Sequence, residues 1–168
     1  QGFVPDLKEA DSVYLQGTLA TGEGLNAEVA AAELVYQTNT IRNLRATINT
    51  NDSGLHVNGI VGRLQAGGLD VYTTRINATA LQNNIVFSVG IDDQREKLQY
   101  YLSGNVAQQE DGNMAIHLNN DSLLLNYDRW QINPNNSITV GTGIIARDFI
   151  LSQANQQLSV QSLGTGAD

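Results

Sequence analysis

The side chains in this chain that could do chemistry are few and scattered. Its two histidines, His56 and His117, stand far apart, and neither has a carboxylate cluster beside it. Both fall out of phase with the surrounding apolar residues, so they read as exposed, solvated imidazoles rather than as bases or ligands. Metal-ligand spacing is missing. Asp92-Asp93-Gln94-Arg95-Glu96 concentrates charge in one turn but lacks the glycine and ligand spacing of a calcium loop, and reads as a solvated hairpin tip. Asp70, Asp121 and Asp128 lie in or near strands, where an acid on a wet face ordinarily meets water, whereas glycoside hydrolysis needs a converging pair. There is no G-x-S-x-G elbow, phosphate-binding loop or dinucleotide fingerprint. Glycosylation sequons begin at Asn51, Asn77, Asn120 and Asn135, as chance would produce in a chain this rich in Asn, Ser and Thr. Tyr100-Tyr101 and Tyr127 with Trp130 could stack on a sugar, but core and rim positions of a sheet account for them more simply. The expectation is a non-enzymatic protein with no metal and no cofactor.

What must position these residues is a nearly unbroken alternation of apolar and polar side chains. Leu44, Ala46 and Ile48 keep the beat, as do Leu55, Val57 and Val61, then Ile85, Phe87, Val89 and Ile91, then Leu98, Tyr100, Leu102 and Val106. Successive side chains of a strand point to opposite faces, so each run makes one greasy and one wet face. The runs predict strands near 12–20, 24–36, 40–50, 54–66, 68–80, 83–92, 97–108, 113–119, 121–133, 136–140, 143–152 and 156–163, in one large antiparallel sheet. Turn chemistry separates them at Thr21-Gly22-Glu23-Gly24, Asn51-Asp52-Ser53-Gly54 and Gln109–Asn113. Parity switches between Val29 and Leu34, and between Ala146 and Phe149, fit β-bulges. Residues 1–11 are expected to be an irregular or short helical lead-in, residues 12–163 a single β domain, and residues 164–168 a tail.

At 168 residues the chain suits one substantial domain. Charged residues make up only 15%, against about 25% in an ordinary globular protein, and the wet face is filled by 18 Asn and 14 Gln instead. That composition fits a secreted or periplasmic β-protein. A net charge of −8 with scattered basic residues argues against nucleic acid and against docking on anionic lipid surfaces. With no cysteine there are no disulfides, thiolates or cysteine metal sites. No run approaches a spanning helix, and no signal-peptide pattern remains. Met114 is the only methionine, so the chain is expected to be processed or excised from something longer, with any anchor outside it.

From Ser122 to Ser162 the sequence runs SLLLNYDRWQINPNNSITVGTGIIARDFILSQANQQLSVQS. Leu123 and Leu125 lead to Trp130 and Ile132, an Asn-Pro-Asn-Asn turn, a strand at Ile138 and Val140, a Gly-Ile-Ile strand, and a closing Gln-Gln-Leu-Ser-Val strand. This succession resembles the TamB family, within the AsmA-like group of long Gram-negative envelope proteins, over about the last quarter of the chain. The resemblance implies an elongated antiparallel sheet curled into a U-shaped, taco-like groove with an apolar interior. It also implies a periplasmic location in a parent protein anchored in the inner membrane, and a role in outer-membrane biogenesis. That role covers phospholipid transport between the membranes and assembly of outer-membrane proteins with an Omp85-type barrel partner.

On that reading the groove lining is Leu55, Val57, Ile85, Phe87, Val89, Leu98, Tyr100 and Leu102, which share parity within three neighbouring runs and would contact phospholipid acyl chains. His56, Ser88, Gln99 and Ser103 should face water. Exposed edge strands would invite pairing with a second copy. The competing expectation is a closed β-sandwich or jelly-roll module of an adhesin or carbohydrate-binding protein, in which the apolar faces cover each other.

Overall fold

The computed structural model describes residues 7–20 and 24–162; it is 74% strand, with no helix among the described residues. The strands are β1 (Leu7–Asp11), β2 (Tyr14–Ala20), β3 (Gly24–Tyr36), β4 (Asn39–Asn51), β5 (Gly54–Ala66), β6 (Leu69–Val71), β7 (Thr74–Leu81) and β8 (Asn84–Asp92). They continue with β9 (Leu98–Gln108), β10 (Met114–Leu118), β11 (Leu123–Leu125), β12 (Asp128–Ile132), β13 (Ser137–Val140), β14 (Ile144–Arg147), β15 (Phe149–Gln153) and β16 (Gln156–Val160). All belong to one antiparallel sheet that does not close into a barrel. Local chemistry makes the hairpins: Gly67 and Gly68, both at positive φ, turn β5 into β6. The Asn51 Oδ1 accepts the Ser53 N–H at 2.8 Å to hold the turn from β4 to β5.

Several sequence expectations change. Leu7–Asp11 is a strand, not an irregular or helical lead-in, because the far half of the long β3 needs a ladder partner and Asp11 pairs Glu33 there. Residues 1–6 and the 164–168 tail lie outside the described residues. The single strand expected over 68–80 is two, β6 and β7, both paired to β5. The strand expected over 121–133 is a hairpin, because Asn126 and Tyr127 both take positive φ. That over 143–152 breaks at Asp148, also at positive φ, where a bulge was expected.

The parity switch near Val29–Leu34 belongs to a crease that crosses the sheet. Ala32, Asn43 and Gly62 fall in line across β3, β4 and β5 and are skipped by both ladders, and Asn43 has φ 53. A Cβ at Gly62 would lie 2.9 Å from the Asn43 Cβ, so glycine is what lets the strands stay together there. Each strand thus carries one residue outside the ladder, which a parity change requires if one face is to stay apolar.

At β9 the sheet forks. Residues Gly104–Gln108 pair with β10, which leads to β13 and β14, while Tyr101 pairs with Leu124 of β11, which leads to β12, β15 and β16. The branches meet again through Ser162, whose Oγ accepts the Ala146 N–H at 2.7 Å. Between them lies the one buried hydrophobic cluster among the described residues, Leu123, Ile132 and Leu151, with Leu102, Leu118, Leu125, Trp130 and Phe149 packed against it. Among the described residues from β1 to β10 the only buried hydrophobic one is Ala31. The exposed surface is 11724 Å², against roughly 8,000 Å² for a compact monomer of this mass. A sandwich over β2–β8 would hide one face of those strands, so the closed-module reading fits only the forked end.

Polar contacts tie the turns at one end of the strands. The Arg63 guanidinium grips Asp70 with bonds of 2.8 and 2.5 Å and stacks over Tyr72. The Tyr127 hydroxyl donates to Asp93 at 2.5 Å, and Lys97 sits over the Tyr127 ring. That bond, helped by the Lys97 and Arg95 N–H groups, lowers the Asp93 pKa, and the same carboxylate raises that of Tyr127. The bond needs Asp93 ionised and Tyr127 protonated. Its contribution is therefore complete between the ordinary carboxylate and phenol values, about 4 and 10. It fades as pH falls through the depressed Asp93 pKa and as pH rises through the raised Tyr127 pKa. Tyr127→Phe should lower the urea midpoint near neutrality and converge on the unmodified protein at both extremes. A gap between the two that is independent of pH would show that packing, not this bond, ties the turns together.

Candidate functional site

Because directly opposed residues in a ladder project to the same face, the register builds continuous rows across the sheet. One row is Gly17, Ala27, Ile48, Val57, Ala78, Phe87 and Gly104. The next is Leu15, Val29, Ala46, Gly59, Ile76, Val89 and Leu102. Flanking rows bring Leu55, Ala80, Ile85 and Val106 to one side and Leu44, Val61, Ile91 and Tyr100 to the other. The two central rows cross seven strands about 4.8 Å apart, and each flanking row adds four apolar residues, interrupted by Thr50 on one side and Thr74 on the other. Together they make an apolar patch of roughly 500 Å², within the range that monomeric proteins expose.

The reverse face is mostly amide, hydroxyl and charged side chains, with Ile60 and Val86 among them. Gln16, Glu28, Thr47, Asn58, Asn77, Ser88 and Ser103 form one row directly behind the apolar ones. Asn77 donates to Ser88 at 3.4 Å, and Asn119 to Ser103 at 2.8 Å. Ser103 is buried there, not open to water. His56 and His117 are on this side as expected, but both are half-buried and partnered. His56 Nδ1 meets Thr79 Oγ1 at 3.1 Å, His56 Nε2 meets Asn51 Oδ1 at 3.0 Å, and His117 Nδ1 meets the Asn136 carbonyl at 2.6 Å.

Of the eight expected lining residues, the register places Leu55, Val57, Ile85, Phe87, Val89, Tyr100 and Leu102 on the apolar face. Leu98 is on the other side. The ladder shifts between Ile91 and Asp92, so Leu98 comes opposite Asp92, and its Cδ1 lies 3.3 Å from where a Cβ at Gly90 would point, beside Tyr101. One extra residue in β9 is enough to turn that side chain over. Ile85 and Tyr100 remain 37% and 38% exposed, and Phe87, Val57 and Val89 are half-buried by their strand neighbours alone. Leu102 differs: it reaches the cluster between the branches, so the apolar face runs directly into the core of the forked end. Sequence reasoning missed Ile76 and Ala78, the β7 residues joining β5 to β8, because the expected 68–80 strand hid where β7 begins.

The turn after β8 is not wholly a solvated tip. Asp92 is 3% exposed and takes both carboxylate oxygens to 2.6 Å from Arg75 Nη2, on the polar face. Asp93 instead organises the turn by accepting the Arg95 and Lys97 N–H groups. Among the described residues no cluster of His, Asp or Glu could hold a metal ion, and no helix is long and apolar enough to cross a membrane. Every buried side-chain nitrogen and oxygen there has a partner. The aromatic residues do not form a platform: Tyr100 and Tyr101 face opposite ways, Trp130 packs on the core cluster, and Tyr127 holds Asp93. Comparison of the chain with protein-family models, with curated proteins and with solved structures gave no match.

Proposed function

We propose that the apolar face is the floor of a lipid-guiding groove in a TamB-like envelope protein. The sheet would curl about it as a U, in the periplasm, beneath an inner-membrane anchor elsewhere in the parent chain. The observation that carries this reading is an apolar surface that crosses β2–β8 and runs into the core at β9, with no second layer over β2–β8 among the described residues and no charged side chain within its rows. An acyl chain gains about 0.8 kcal/mol per buried CH₂ there without any directional contact. Binding is therefore nearly equal at successive positions, which favours sliding over capture. The role is non-enzymatic. The cargo is the acyl part of phospholipid, and delivery to the outer membrane runs through an Omp85-type barrel partner of the intact protein. Strands of nascent outer-membrane proteins are the second cargo to test, since β2 also offers them an edge.

The test is a photo-crosslinker placed at single positions of the intact protein in cells. Phe87 and Val57 should capture phospholipid, while Ser88, Asn58 and Leu98 on the reverse side should not. Equal capture on both faces, or none on either, would remove the groove. Capture of protein instead of lipid at Phe87 would transfer the site to the second cargo.

A further inference from the structure

One edge of the sheet is unguarded. Among the described residues β2 pairs only with β3, through seven consecutive residues without a register shift. Natural edge strands are blunted by charge, proline or bulges. Tyr14–Ala20 has none of these, whereas the neighbouring β1 carries Lys8, Glu9 and Asp11 and a register shift. Leu15 and Leu19 are 73% and 82% exposed, the highest values for any large hydrophobic residue described. At the opposite end β16 is also uncharged, but it is five residues long and the chain beyond it is drawn back to β14 by Ser162.

We propose that β2 pairs antiparallel with β2 of a second copy of this chain, about a two-fold axis at Gly17. This register alone pairs all seven residues. It sets Leu15 against the partner's Leu19, Gln16 against the partner's Thr18, and Gly17 against the partner's Gly17. Opposed residues share a face, so the leucines meet on the apolar side and the polar residues on the other, and a slip by one residue would mix them. The two apolar faces become one surface of twice the width. The occupant is a second copy because the strand complements itself: it is uncharged, its central residues Leu15–Leu19 present the same side-chain classes in either direction, Tyr14 at each end meets the small Ala20, and no bulky residue sits at the axis. A seven-residue ladder buries less than the roughly 1,000 Å² of a stable interface, so the dimer exchanges with monomer and depends on concentration. The inference stands independently of the lipid reading.

The absence of cysteine makes the test clean. A Cβ at Gly17 would touch the Asn26 carbonyl at 3.4 Å and the Ala27 Cβ at 3.6 Å, ordinary contacts, so Gly17→Cys fits the strand. Opposed Cα atoms in a ladder lie about 4.5–5.5 Å apart, within disulfide reach. Gly17→Cys should form covalent dimers under mild oxidation. Leu15→Cys alone should not, and a mixture of Leu15→Cys with Leu19→Cys should. Sedimentation of the unmodified chain should show a reversible monomer–dimer shift that Leu19→Lys abolishes. A monomer at every concentration would overturn the pairing, as would self-linking of Leu15→Cys as readily as Gly17→Cys. Growth into open chains of subunits would also overturn it, because it would mean head-to-tail joining of β2 to β16.

Discussion

Asn136→Ala should lower the stability of the forked end by about 3 kcal/mol or more, a loss on the scale of truncating a buried core residue. Asn136 is 1% exposed, in the turn between β12 and β13. Its Oδ1 accepts the Leu118 N–H at 2.9 Å, and its Nδ2 donates to the Leu118 carbonyl and the Asn133 carbonyl, each at 2.8 Å. The β10–β13 ladder ends at Ile116 and Ile138, and the amide continues it two residues further, replacing backbone with side chain. Alanine leaves the Leu118 N–H and C=O without protein partners, and each unpaired buried group costs about 1–3 kcal/mol. Asn136→Asp should be no milder: it keeps the acceptor but sets a carboxylate oxygen against the Leu118 carbonyl. Trp130, the only tryptophan, packs on the adjacent cluster and reports the transition by fluorescence. A loss below about 1 kcal/mol would mean that water replaces the amide and that the branches are held by the hydrophobic cluster alone.

How much of this was legible follows from which interactions are local. Strands β3 and β5 fall on the expected 24–36 and 54–66, because alternation inside a strand and the glycine that opens each are properties of the segment itself. The one-sided apolar face was legible for the same reason. The fork was not, since it depends on β9 sharing its length between β10 and β11, and nothing in Leu98–Gln108 marks where one partner ends. Gly104 is the nearest signal: a Cβ there would overlap the His117 carbonyl oxygen, so the glycine lets β10 approach. The Asn126-Tyr127 turn was missed because neither residue is glycine, although the apolar positions change parity from Leu123 and Leu125 to Trp130 and Ile132 across it. Leu98 was misplaced for a related reason. A bulge is a mismatch between two strands, and the extra residue in β9 is invisible without its partner β8.

The apolar face yields the second large effect, on transfer of lipid rather than on folding. Phe87→Arg should leave the fold nearly unchanged, since Phe87 is covered only by its strand neighbours and a guanidinium there can extend into water. Once an acyl chain lies along the row from Val57 through Ala78 to Gly104, that water is gone. No acid faces the position from the apolar rows, so the charge is unpaired, and desolvating it costs on the order of 3 kcal/mol even after partial snorkelling. Passage across that row should fall about a hundredfold, read as phospholipid transfer between vesicles or as crosslinking yield beyond the block. Ser88→Arg projects from the reverse face beside Asn77 and Ser103 and should transfer lipid normally. Leu98→Arg gives the sharpest contrast. Alternation alone places Leu98 in the lining, whereas the β9 bulge turns it to the Tyr101 side, so this variant should also transfer lipid normally. If Leu98→Arg blocks as strongly as Phe87→Arg, lipid does not follow the register-defined face. If Phe87→Arg transfers normally while remaining folded, the apolar surface serves some purpose other than carrying acyl chains.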